Sequence, residues 1–307
     1  MVIVCGMRQP AITLAIVLAG VSAVPAAAQD AAAPDNAPEV STIIVRPPLT
    51  ENERKQELRE FTKEIVRPPR MQHPVAKFFY PICPQVLGLA AVDAEDIAER
   101  IRENARALGV GANTDPACLP TVKVAFMAPA AGPSDRWLTA ESAQLAHLAI
   151  YERERVLAET GPVRAWNRIV VRDFNGQPIQ VGEMIRIEPY GRNDPIVTTE
   201  ITGAAVLIAR EAAEGFTLAQ LADYITMRTL IGTGAPSSDE GVPAHTILTL
   251  FDDPDPPAEM TLFDRALVAE LYNASRNSSP RRVYNDIARA AVESERIVRA
   301  EPEAPKP

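Results

Sequence analysis

The chain has 307 residues, 47% of them hydrophobic and 23% charged. That apolar fraction is ample for a packed core and excludes a wholly disordered chain. With 31 basic against 40 acidic residues the formal charge is −9. This argues against a nucleic-acid binder, which needs a basic surface to displace counterions.

The first element reads as an export signal. Arg8 precedes an apolar run from Ala11 to Val24, followed by Pro25 and Ala26-Ala27-Ala28. A cation, an apolar run of about 14 residues and an A-x-A site are the parts of a secretory signal, and the run is shorter than the roughly 20 residues that span a bilayer. Cleavage is expected after Ala28, and the signal reads better from Met7 than from Met1. The expected compartment is the periplasm, with release outside the cell as the alternative, and no transmembrane segment is expected in the mature chain. Cys5 lies ahead of the apolar run, so it is not a lipidated cysteine. Two cysteines remain, Cys83 and Cys118. In an oxidising compartment they are expected to pair, stabilising the fold by about 4 kcal/mol through loop closure; two buried thiols are the alternative.

Residues 29–43 are rich in Ala, Pro, Asp and Asn and read as a flexible linker; residues 300–307 read as a tail of the same kind. Between them, 44–69 is expected to be a charged helical arm and 70–299 a single α+β domain. Thr50 and Glu53 form a capping box, Leu58, Phe61 and Ile65 make a narrow apolar stripe, and Pro68 ends the helix by about Arg67. The arm either packs on the domain or binds a partner. Lys77–Tyr80 is expected to be a strand leading to a turn at Pro81-Ile82-Cys83-Pro84. Asp93 is expected to cap a helix with Ile97, Ile101, Ala105 and Leu108 on its core side and Gly109 at its end. Thr121–Met127 alternates as a strand. A helix is expected from about Thr139 to Glu159, then strands Val163–Phe174 and Gln180–Glu188 joined by an Asn175-Gly176 turn. Gly203–Arg210, apolar on both faces, is expected to be a central strand. Thr217 and Gln220 form a second capping box, opening a helix to about Ile231. Thr261 caps a further helix, and Ser279-Pro280 opens the last one, to about Arg299. The fold class is α+β, a mixed sheet packed with several helices. Two subdomains meeting near residue 160 are the alternative.

The chain holds no G-x-S-x-G, P-loop or H-E-x-x-H sequence. His73, His147 and His245 are far apart, with no i,i+4 pair, so no metal ligands and no cofactor are expected. His147 reads as a helix-face residue. His245, near Asp252 and Asp253, could form a general-base pair, although no motif marks a nucleophile.

Several stretches resemble an uncharacterised family of exported Gram-negative bacterial proteins. They are Tyr80–Leu89, Arg100 to Arg102, Cys118 before the strand Val122–Phe126, Val163–Trp166 with Arg172, Phe216–Tyr224 with Met227-Arg228, Ile247–Phe251, and Leu262–Asp264 with Leu271-Tyr272. The likeness covers roughly residues 44–290. No transferable activity comes with it. The element order is also similar to zincin-like proteases. In that register Gln220 and Tyr224 stand where two histidines would, which implies a degenerate zincin-like fold without its metal.

These observations favour an exported, non-catalytic protein that binds an envelope component, either an envelope protein or a small ligand. A hydrolase with an unfamiliar acidic site and an assembly scaffold working through the 50–67 arm are the alternatives. A ligand groove is expected beside Gly203–Arg210 and the Thr217 helix. Its candidate binding residues are Trp166 for contact area, Arg172 and Arg228 for a carboxylate or phosphate, and Asp223 as an acceptor.

Overall fold

The computed structural model describes residues 49–66, 73–179, 197–236 and 242–300. The expected signal, the linker, the start of the arm, the strand Gln180–Glu188 and residues 301–307 lie outside the described residues. The described residues belong to one compact unit, Pro48–Pro307.

Helix α1 (Glu51–Ile65) opens on the reciprocal Thr50–Glu53 capping box. Its stripe Leu58, Phe61 and Ile65 is fully buried in the main core. Phe61 packs on Phe263 at 5.3 Å between ring centroids. Arg54 pairs with Glu295 at 2.6 Å, and Tyr284 donates to the carbonyl of Val66. The charged appearance of this helix comes from its outer face alone.

Among the described residues the sheet has four strands in the order β1-β2-β4-β3. β1 is Pro84–Leu87 and β2 is Val122–Met127; the two are parallel, connected through α2 (Ala91–Ala107). The strand begins on the last residue of the expected Pro81–Pro84 turn and runs on past it. Pro84 is its first residue, a place where a missing N–H is tolerated. Of the strand expected at Lys77–Tyr80, only Lys77 makes a ladder contact, a parallel bridge to Glu200. Helix α2 is capped at Ala90, three residues earlier than the Asp93 cap expected, and Asp93 sits in its first turn, where a negative charge suits the helix dipole. The Cys83–Cys118 disulfide is formed. It joins the residue entering β1 to the loop entering β2, and the carbonyl of Cys83 accepts from the Thr121 N–H at 2.9 Å.

The helix expected over 139–159 is mostly absent. Residues 143–145 form a 3-10 turn and only Ile150–Ala158 is α-helical, as α3. The turns instead let Leu138, Leu145 and Leu148 reach Trp166 in a small second core with Val156. His147 consequently lies in an exposed turn.

β3 (Val163–Arg172) is an antiparallel neighbour of β4 (Thr198–Ala209). β4 also pairs in parallel with β2, so the apolar strand expected to be central is central. Since β3 starts beside residue 160 and joins the same sheet, no subdomain boundary falls there. The Asn175-Gly176 turn forms, with Asp173 accepting from the N–H groups of Asn175 and Gln177, and Ile179 donates to the carbonyl of Val171 at 2.9 Å.

A short helix, α4 (Arg210–Ala213), leads to α5 (Leu218–Leu230), whose Thr217–Gln220 capping box is formed as expected. α6 (Leu262–Asn273) carries a third box, Thr261–Asp264. The buried Asp264 carboxylate also accepts from the Ile247 N–H at 2.9 Å and from the Thr246 hydroxyl. Burial pushes its carboxyl pKa up against those donors. α7 (Pro280–Ala300) closes the fold against α1 and α6.

The α6 C-terminus is held by one ammonium. The side chain of buried Lys77 donates to the carbonyls of Leu271 at 3.0 Å, Tyr272 at 3.3 Å and Ala274. Burial and nearby Arg276 pull its pKa down to about 8. That is still above neutrality, so the carbonyls face a cation at pH 7, as helix C-termini prefer.

Two stability changes test this packing by urea unfolding. Phe61→Ala is expected to cost about 3–5 kcal/mol, the range for a buried aromatic; a loss below about 1 kcal/mol would show that α1 is a detachable arm. Lys77→Met is expected to cost about 2–3 kcal/mol by leaving three carbonyls without a donor, and an unchanged midpoint would show that water serves them equally well.

Candidate functional site

Helix α5 places most of the site. All ten residues Leu221–Leu230 are buried, including Asp223, Thr226, Arg228 and Thr229. Buried polar groups must find partners in the protein. Thr226 and Thr229 donate to the carbonyls one turn back, Ala222 and Ile225. Asp223 has no exposed surface and accepts from Arg100 Nε at 2.9 Å, Asn104 Nδ2 at 2.7 Å and the Met260 N–H at 2.8 Å. Its role is to tie α2 and the 252–260 loop to α5.

Arg228 lies one turn further along. Its guanidinium donates to the Tyr224 hydroxyl at 2.7 Å and to both carboxylate oxygens of Glu159 at 3.1 and 3.3 Å. Burial works against this charge, but Tyr224 and Glu159 outweigh it and hold the guanidinium above its ordinary pKa. Burial raises the Tyr224 phenol, whose ring meets Phe251 edge-on at 5.0 Å.

These groups line a cleft of about 450 Å³ between β3 and the C-terminal half of α5. Val163, Ala165 and Asn167 of β3 form one wall, Tyr224 and Arg228 the wall facing it, and Arg155, Glu159 and Asp252 stand around them. A volume of that order suits a small organic ligand. Asn167 is a polar residue on the core-facing side of a strand. Its amide donates to the carbonyl of Thr229 at 2.8 Å, which ties the strand to the end of α5. Gly232 follows that helix end at φ +69°, and a Cβ there would lie 2.5 Å from Asn167 Oδ1. Only glycine fits between the helix end and this amide.

Two guanidiniums that line this cleft each keep an Nε turned into the protein without an acceptor. The Nε atoms of Arg155 and Arg228 are both buried without a hydrogen-bond partner, and both side chains line the cleft. A buried unpaired guanidinium N–H is costly and calls for a physical account.

The four candidate binding residues are distributed differently. Arg228 lines the cleft, and Trp166 lines a neighbouring one. Trp166 is also the centre of the second core, as a packed tryptophan would be. Arg172 lies outside both, paired to buried Glu200 through Nε. Asp223 is consumed by Arg100, Asn104 and the Met260 N–H and lines neither cleft. Neither Gln220 nor Tyr224 is free to coordinate: Gln220 serves the capping box and donates to the carbonyl of Pro257, and Tyr224 accepts from Arg228. His245 is exposed, and no ion pair joins it to Asp252 or Asp253 among the described residues. No group of three or more His, Cys, Asp or Glu side chains that could hold a metal occurs among the described residues.

Sequence reasoning missed Arg155, Glu159 and Asn167. Arg155 and Glu159 read as the polar side of a long helix. Asn167 did carry a signal, as a lone amide between Trp166 and an apolar strand end.

Asp223→Ala is expected to cost about 3–5 kcal/mol in urea unfolding by removing the carboxylate that pairs with Arg100 and accepts from Asn104 and the buried Met260 N–H. A cost below about 1 kcal/mol would indicate that these partners regain water freely.

Comparison with known family models, with curated proteins and with solved structures returns no match.

Proposed function

We propose that the protein is an exported, non-catalytic binding protein of the cell envelope, and that the cleft between β3 and α5 takes an anionic ligand. The observation that carries this is the pair of guanidinium donor groups, Arg155 and Arg228, lining one cleft. Such donors match carboxylate and phosphate oxygens in charge and geometry. Arg228 is fixed by Tyr224 and Glu159 and serves as a rigid floor. Arg155, on α3, is the more exposed of the two and the more adaptable partner.

The export signal, Arg8 to Ala28, and the disulfide agree with an oxidising compartment outside the cytoplasm. The scaffold alternative relied on the 50–67 arm and the acidic surface. Helix α1 has its apolar stripe already buried in the core and offers no open apolar face.

Differential scanning calorimetry with and without millimolar acetate or inorganic phosphate tests the reading. A ligand that binds only the folded state raises Tm in proportion to its concentration over Kd. The expected result is a rise with at least one of these anions, relative to chloride at equal ionic strength, that is lost in Arg155→Ala. No rise with either anion, or an equal rise in the variant, would overturn it.

A further inference from the structure

The anion cleft does not end at Arg155. A second cleft of about 310 Å³ adjoins it, and Arg155, Asn167 and Gly232 line both. The walls of the second are of another kind. Ala76, Leu148, Trp166, Ile169 and Ile231 supply apolar and aromatic surface, with Tyr151 near the mouth. Trp166 and Asn167 are adjacent in β3 and point to opposite faces of the sheet. A cavity touching both borders the outer edge of β3, which is the end strand of the sheet among the described residues. The register shift between Arg168 and Ile169 falls at this point and re-aims the strand beside the cavity.

Charge divides the two clefts. Glu159 pairs with Arg228, and Arg155 stands at the junction, where its charge also acts on Glu152. Inside the second cleft the only carboxylate among its described lining residues is Glu152. It disfavours a second negative charge there, and burial raises its own pKa, consistent with a poorly solvated interior.

We infer that the natural ligand is an amphiphilic organic anion: one carboxylate or phosphate-ester head on Arg155, and an apolar chain or ring lying along Trp166, Leu148, Ile169 and Ile231 at the edge of β3. This rests on the anion-binding reading above and adds the chemistry of the rest of the ligand. An apolar body contributes through the area it removes from water, and burial of about two methylenes is enough for tenfold in affinity. The head contributes direction, because the guanidinium is one-sided.

Isothermal titration of the purified protein with a matched series tests this: acetate, inorganic phosphate, octanoate, octyl phosphate and octanol, each below its micelle concentration. The expected result is that octanoate or octyl phosphate binds at least about tenfold tighter than its short counterpart and at least about tenfold tighter than octanol. Whichever of the two binds tighter identifies the head group. Arg155→Ala should weaken the long anion by about tenfold or more and leave octanol unchanged, with Arg155→Lys restoring part of the loss. Trp166 fluorescence in a Trp137→Phe background should change with the long anion and not with acetate or phosphate. If the short anions bind as tightly as the long ones, the amphiphile inference is overturned and the anion cleft stands. If octanol matches octanoate and Arg155→Ala changes nothing, the anion reading is overturned with it. No binding by any of the five overturns both. The ligand series requires no substitution, so misfolding of a variant cannot mask the outcome.

Discussion

The burial of helix α5 is the constraint on which the rest of the structure depends. Its last ten residues have almost no contact with solvent, yet four of them are polar or charged. In such a place each polar group needs a protein partner or carries a desolvation cost of several kcal/mol. The surrounding elements are arranged to supply those partners. α2 brings Arg100 and Asn104 to Asp223, the 252–260 loop brings the Met260 N–H, and the end of α3 brings Glu159 to Arg228. β3 brings Asn167 to the helix end. One amphiphilic helix thereby positions two opposite sides of the molecule.

The two ionic residues of α5 have different fates for a geometrical reason. Asp223 and Arg228 are five residues apart, so they point to different sides of the helix. Asp223 faces α2 and is closed over. Arg228 faces the open edge of the sheet, where β3 has no further strand beside it among the described residues, and there the packing leaves a cleft. The same edge lets Trp166 and Asn167, on opposite faces of β3, border one space. The second core, Leu138, Leu145, Leu148, Val156 and Trp166, holds the wall of that space from behind.

Much of the local structure was legible in the sequence. The boxes Thr50–Glu53 and Thr217–Gln220 could be read because a side chain oxygen and an N3 carboxylate or amide complete each other within four residues. The Thr261 box escaped as a box because its N3 residue is the shorter Asp264, whose carboxylate is also needed by Thr246 and Ile247. The helix over 139–159 was misjudged because helix propensity in that stretch is outweighed by packing: three leucines reach Trp166 only if the chain turns twice before α3. Pro84 hid a strand because proline ordinarily reads as a turn. Of the candidate site residues, Arg228 and Trp166 border the clefts, whereas Arg172 and Asp223 are held in ion pairs whose partners, Glu200 and Arg100, lie 28 and 123 residues away.

By itself the sequence determined the α+β class, the Thr50–Glu53 and Thr217–Gln220 boxes and the centrality of β4, which follow from short-range patterns, whereas it left the pairing of Cys83 with Cys118 as an expectation that the fold fulfils. Only the tertiary structure decided which polar residues are spent on stability and which remain available. An arginine has the same side chain on a surface, in a buried pair or at the rim of a cleft. What distinguishes Arg155 from Arg172 is the acceptor that folding brings, or does not bring, within about 3 Å of its Nε. That distance is set by contacts between residues far apart in the chain, and no local pattern encodes it.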